Sequence, residues 1–239
     1  MYSSAEECEG MPMAPVARAI EEMAASASPA PGSQVELEVR VGKLRPGSTH
    51  FVPGVTRESF SAITELLRSN ERWEDFRHTK QTDYYKSLRG NSIRLSLDDN
   101  TGEEKMIRKR KLAQRTFLME GCAYDVRVSM SAEEDPGITL EEFGDECQDS
   151  REKERVSYRH RNKYGMTWSF DATVVKPGPD EHQDPDEDSG AIIYEMELEV
   201  PWDHQHKKYM SQSSALKVLD VLRAGDPFMS VKDLAVSEV

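Results

Sequence analysis

Cysteine, long apolar runs and net positive charge are what this 239-residue chain has little of, and each shortage removes a class of protein. Its 3 cysteines, Cys8, Cys122 and Cys147, are odd in number and share no metal-like spacing. A disulfide framework is therefore not expected, and a reducing, intracellular compartment is. No apolar stretch approaches the length of a membrane span, and residues 1–30 carry no secretory apolar core. The expectation is a soluble chain without membrane contact. A formal net charge of −13 argues against nonspecific binding to nucleic acid, DNA included. There is no internal repeat and no alternation of strand and helix of the kind that builds parallel sheets.

What is present is alternation with a period of two. Tyr194 to Val200 reads as a strand with Glu195, Glu197 and Glu199 on one face and Tyr194, Met196, Leu198 and Val200 on the other. Val35 to Val41 repeats the arrangement with Glu36, Glu38 and Arg40 in phase. Residues 1–33 read as a flexible N-terminal tail with a short helical stretch between Met13 and Ala27, and 34–239 as a single domain. Thr56 opens a helix to about Ser69. Strands follow at Thr79–Leu88, Ser92–Leu97, Lys105–Leu112, Thr116–Ser131, Arg151–Tyr158 and Thr167–Val175, with a hairpin turn at Asp98–Glu103. Acidic, turn-rich stretches near 132–150 and 177–190 read as surface loops, and a last helix spans about Ser214 to Arg223. Seven or eight antiparallel strands with few helices predict a mainly β (α+β) closed barrel, which removes exposed edges.

The phase of the charges carries the functional information. Arg40, Arg94, Lys109, Lys111, Arg127, Arg151, Lys153 and Arg155 fall on the same side of their strands as the glutamates. Burying so many charges is prohibitive unless they are paired, hydrated or neutralised by a ligand. The ligand that suits facing rows of Arg/Lys and Glu is a polyphosphate brought in with a hard divalent cation. Each basic strand alone would more often be a solvated face; two Glu-x-Glu strands beside them favour a charged tunnel.

Glu36-x-Glu38-x-Arg40, Arg151-x-Lys153-x-Arg155, Trp168-x-x-Asp171-x-Thr173 and Glu195-x-Glu197-x-Glu199 occur in the order found in the triphosphate tunnel metalloenzymes. From Val35 to Val200 the chain resembles their fungal and protozoan mRNA-capping RNA 5′-triphosphatases, its small size pointing to a kinetoplastid-type form. The resemblance implies an eight-stranded antiparallel tunnel that hydrolyses the γ-phosphate of 5′-triphosphate RNA. It implies Mg²⁺ or Mn²⁺ on Glu36, Glu38 and Glu199, and phosphates held by Arg94, Lys109, Arg127, Arg151, Lys153 and Arg155. Glu133, Glu195, Glu197, Arg40 and Asp171 complete the expected catalytic set, with Glu197 and Glu133 as candidates to orient the attacking water. Of the two lysines in phase, Lys109 is preferred over Lys111 for the lumen. Arg40 departs from the lysine common at its position. No Lys-x-Asp-Gly motif is present, so a fused guanylyltransferase is not expected; the resemblance implies a separate guanylyltransferase as partner and an intracellular, nuclear location. Alternatives are an inorganic or thiamine triphosphatase of the same superfamily, or a non-catalytic barrel that binds polyphosphate or RNA ends.

Overall fold

The structure is a computed structural model that describes residues 13–29, 33–71, 73–161, 165–178, 191–202, 207–225 and 235–238. Its strands are β1 (Gln34–Leu44), β2 (Phe51–Pro53), β3 (Asp75–Leu88), β4 (Asn91–Asp98), β5 (Glu104–Glu120), β6 (Asp125–Glu134), β7 (Asp149–Arg161), β8 (Thr167–Pro177), β9 (Ile193–Pro201) and β10 (Ala235–Glu238). Eight of them close a ring in the order β1-β6-β5-β4-β3-β7-β8-β9 and back to β1, every pairing antiparallel. The remaining two add short pairings, β2 on β1 and β10 on β5. The expected eight-stranded barrel is thus the fold.

Local chemistry sets the corners. The β3–β4 hairpin turns on Arg89 and Gly90, both at positive φ (52° and 76°), the backbone of the two-residue turn that matches strand twist. At the β4–β5 turn the Asp98 carboxylate accepts the backbone N–H groups of Asn100 and Thr101. At Gly42 a Cβ would lie 2.2 Å from the Val52 carbonyl oxygen, so only glycine lets β2 fold back on β1.

The hydrophobic core lies outside the barrel. Leu37, Val39, Val128, Met130, Trp168, Phe170, Met196 and Leu198 point outward from their strands and are buried. Helices α1 (Ala14–Ser26), α2 (Arg57–Ser69) and α4 (Lys207–Gly225) contribute Val16, Ile20, Met23, Ile63, Leu67, Met210 and Val218 to the same cluster. α2 starts where Thr56 predicts, its hydroxyl accepting the Ser59 N–H. A fourth helix, α3 (Leu140–Phe143), is one turn opened by a Thr139/Glu142 capping box.

Three expectations need correction. Residues 14–26 are not part of a mobile tail: they form α1, with Val16 and Ile20 fully buried. The apolar spacing of Val16, Ile20 and Met23 supplies a face that the outer wall of β5 and β6 needs covered. The strand expected across Thr116–Ser131 is two strands: β5 continues to Glu120, the chain turns through Gly121 at positive φ, and β6 begins at Asp125. The surface excursion begins later than residue 132, because Ala132, Glu133 and Glu134 still pair with β1 or β5. Most of the acidic stretch at 177–190 lies outside the described residues.

Because α1 is a structural wall, Ile20→Ala should lower the unfolding free energy by about 2–4 kcal/mol. Urea denaturation measures it, and a change under about 0.5 kcal/mol would return the helix to the status of a tail.

Candidate active site

Register decides which side chains meet inside. Antiparallel pairing sets Glu38 opposite Glu199, Arg40 opposite Glu197, and Asp171 opposite Glu197 from the other side. Because each of these strands alternates, the outward residues make the core and the inward ones make an ionic lumen.

Carboxylate oxygens of Glu36, Glu38 and Glu199 lie within 4.8 Å of one another. Lys109 donates to Glu36 and to Glu38, both at 3.0 Å. Arg40 Nε lies 2.6 Å from Glu38 and 2.7 Å from Glu197, which ties the two glutamate rows together. Arg155 donates to Asp171 at 2.9 Å and to Thr173 at 3.2 Å, and reaches Glu197 and Glu199 at 3.5 and 3.8 Å. Ser169 donates to the other oxygen of the Asp171 carboxylate. Arg94 and Lys105 approach Glu133 at 3.8 and 3.6 Å. Glu195 is buried and within electrostatic reach of Arg40.

The remaining expected residues are placed differently. Arg127 sits opposite Arg40 in the register, its guanidinium 4.8 Å from the centre of the Phe51 ring. Arg151 is exposed, stacked over Tyr85 and paired with Asp149, so it stands apart from the ion pairs of Lys153 and Arg155. Lys111 is exposed, next to a bulge between Lys111 and Ala113 that shifts the β5 register; Lys109 is the lysine on the glutamates. Asp83 went unnoticed in the sequence. It is fully buried, pairs with Lys153 at 2.7 Å, and accepts from Ser96, Gln81 and Tyr85. The available signal was its phase: Gln81, Asp83 and Tyr85 share one face of β3, opposite Arg94 and Ser96 on β4.

The electrostatics divide the glutamates into two kinds. Burial alone would raise the Glu38 pKa, but Arg40 and Lys109 outweigh it and hold the carboxyl down at about 2. Burial raises Glu199 well above the ordinary range; Arg155 opposes this, while Glu36, Asp171 and Glu197 add to it. Glu197 is raised for the same first reason, and neither of its buried oxygens accepts a well-aligned hydrogen bond. The three-carboxylate cluster is an all-oxygen donor set, which fits a hard divalent cation.

The family model described as "mRNA capping enzyme, beta chain" matches residues 34–219, well over half of the chain. The chain belongs to that family. It is a triphosphate tunnel RNA 5′-triphosphatase, the hydrolase of mRNA capping. Among solved structures it is similar to the Pct1 RNA triphosphatase of S. pombe, at 21% identity and a TM-score of 0.61, covering 87% of this chain and 85% of that one. It is also similar to the Mimivirus capping enzyme triphosphatase, at 14% identity and a TM-score of 0.54, covering 88% and 97%. These likenesses show the shared fold. No curated protein matches the sequence.

A carboxyl whose folded pKa is raised binds its proton more tightly in the fold, so its stability contribution is full at low pH and lost as pH rises. A lowered pKa has the opposite sign, its contribution being present at neutral pH and lost only as pH falls toward 2. In metal-free protein, Glu199→Gln should therefore raise Tm relative to wild type, by more as pH climbs from about 5 to 8. Glu38→Gln should lower Tm at pH 7, each shift being about 2–4 °C. Scanning calorimetry across pH checks both; equal signs for the two variants would contradict this division.

Proposed function

We propose that the lumen removes the γ-phosphate of 5′-triphosphate RNA with Glu36, Glu38 and Glu199 holding Mg²⁺ or Mn²⁺. The observation that carries this is the meeting of those three carboxylates within 4.8 Å, beside Lys109 and Arg155. When bound, the cation supplies Lewis-acid neutralisation of charge on the γ-phosphate. Lys109, Arg94, Lys153 and Arg155 hold the phosphates beside the trio. Arg127, backed by Phe51, presents a further cation to the phosphates.

Glu197 orients the water and takes its proton as the new O–P bond forms, since burial has raised its basicity. The bond from the γ-phosphorus to the bridging oxygen breaks, and the diphosphate-ended RNA leaves with the electron pair. Transferred charge spreads over oxygens already faced by Arg and Lys, so stabilisation needs little reorganisation. Asp171 and Thr173 aim the Arg155 guanidinium, and Asp83 fixes Lys153. Arg40, clamped between Glu38 and Glu197, holds the metal-binding and water-orienting carboxylates in one register, with Glu195 behind it. Glu133 holds Arg94 and Lys105 apart from the trio. The diphosphate product is a substrate for guanylyl transfer, so a separate guanylyltransferase in the nucleus is the partner we propose.

The test is phosphate release from γ-labelled triphosphate RNA with and without Mg²⁺ or Mn²⁺. Glu38→Ala, Glu199→Ala and Glu197→Gln should each lower kcat by about 10²-fold or more. Arg151→Ala, at an exposed position, should cost far less. Metal-independent release, or full activity in the Glu199 variant, would overturn the assignment.

A further inference from the structure

Along β5 the inward phase reads Lys105-x-Ile107-x-Lys109, a row of cations interrupted by one isoleucine that is 4% exposed. Beside it a groove of about 480 Å³ opens to solvent. Met106, Ile107, Pro136 and Ile138 give it apolar walls, Lys105 is the cation among its lining residues, and Glu134 and Asp135 join Glu133 as its carboxylates. Its volume is that of a small-molecule site. Glu133 lines this groove and also carries the ion pairs to Arg94 and Lys105, so groove and lumen share a wall.

Lys109, Arg94 and Lys105 link the carboxylate trio to this groove by way of Glu133. Lys109 contacts Glu36 and Glu38, Arg94 and Lys105 contact Glu133, and Lys109 lies opposite Glu133 in the register. On the outer face Arg108 and Arg110 fork onto Glu134, which neutralises the wall residue next to Glu133 and fixes its strand. On the far side of the trio the lumen holds Arg155, Asp171, Glu197 and Arg40 in mutual ion pairs. Apolar surface next to a phosphate path suits one part of the substrate: a base, which has apolar faces and polar edges.

We propose that this groove seats the first transcribed nucleoside of the RNA, its base against Met106 and Ile138 and its α-phosphate at Lys105. The proposal rests on the triphosphatase reading above and adds to it the direction in which RNA enters. The lumen then reads the triphosphate and the groove distinguishes an RNA end from a bare polyphosphate.

The test compares wild type with Ile138→Asp and Met106→Ser on a 5′-triphosphate trinucleotide and on inorganic triphosphate. The expected result is a KM about tenfold higher for the trinucleotide in either variant, with kcat and the inorganic triphosphate KM within about twofold. Equal shifts for both substrates, or none for either, overturn the groove. Failure of the wild type to release phosphate from either substrate overturns the triphosphatase reading, and the groove with it. A trinucleotide carrying 4-thiouridine at its first position gives a readout on unmutated protein. Cross-linking to residues 105–107 or 136–138 supports the proposal, and cross-linking confined to other segments overturns it.

Discussion

A barrel lined with charge can fold only if its buried cations are compensated, for the most part by carboxylates within ion-pair reach, and this requirement organises the rest of the molecule. Lys153 and Asp83 are both buried and would each be prohibitively costly alone; at 2.7 Å, with three further donors on Asp83, they form a satisfied pair. Arg155 and Asp171 do the same one strand away. With the inside committed to ions, hydrophobic burial has to come from the outer wall. That explains why the helices pack on the sheet's outside and why α1 belongs to the fold. It covers wall residues that would otherwise leave a large apolar face in water.

Pairing is not uniform, and the unevenness is where chemistry is possible. Glu38 is neutralised by Arg40 and Lys109 and behaves as a fixed anion. Glu199 faces Arg155 at only 3.8 Å and shares its surroundings with Glu36, Asp171 and Glu197. The lumen therefore contains one spot of surplus negative charge inside a largely balanced network. A cation at that spot converts a destabilising cluster into a bound site, so instability of the metal-free form and affinity for metal have one cause. The same cluster argues against a passive anion receptor, since bare carboxylates repel phosphate and a binder would be better without them.

Much of this was legible because a closed barrel preserves strand phase. Glu36, Glu38, Glu195, Glu197, Glu199, Lys153 and Arg155 could be assigned to the inside from alternation alone, and they are inside. Alternation fails where the phase slips or the signal is a single residue. The bulge after Lys111 changes which β5 residues face in, and no periodic pattern reveals that. The turn at Gly121 sits between two stretches of the same alternation, so it read as one strand. Asp83 is a lone carboxylate in a polar strand, recognisable only once Lys153 and Ser96 are seen around it. α1 is rich in alanine, and its apolar spacing acquires meaning only from the wall it covers.

A lumen of this kind reads phosphates and little else. The ion pairs to the trio come from lysine and arginine, so triphosphate on RNA and free triphosphate present the same oxygens to it. Discrimination must then be built where the charged row gives way to apolar surface, because only there can a base contribute differential binding. Met106 and Ile138 supply that surface, and Glu133 both lines the groove and pairs with Arg94. Chemistry and substrate choice are thus separable along a single strand. Substitutions in the lumen should act on turnover of any triphosphate, and those past Glu133 on which triphosphate is taken.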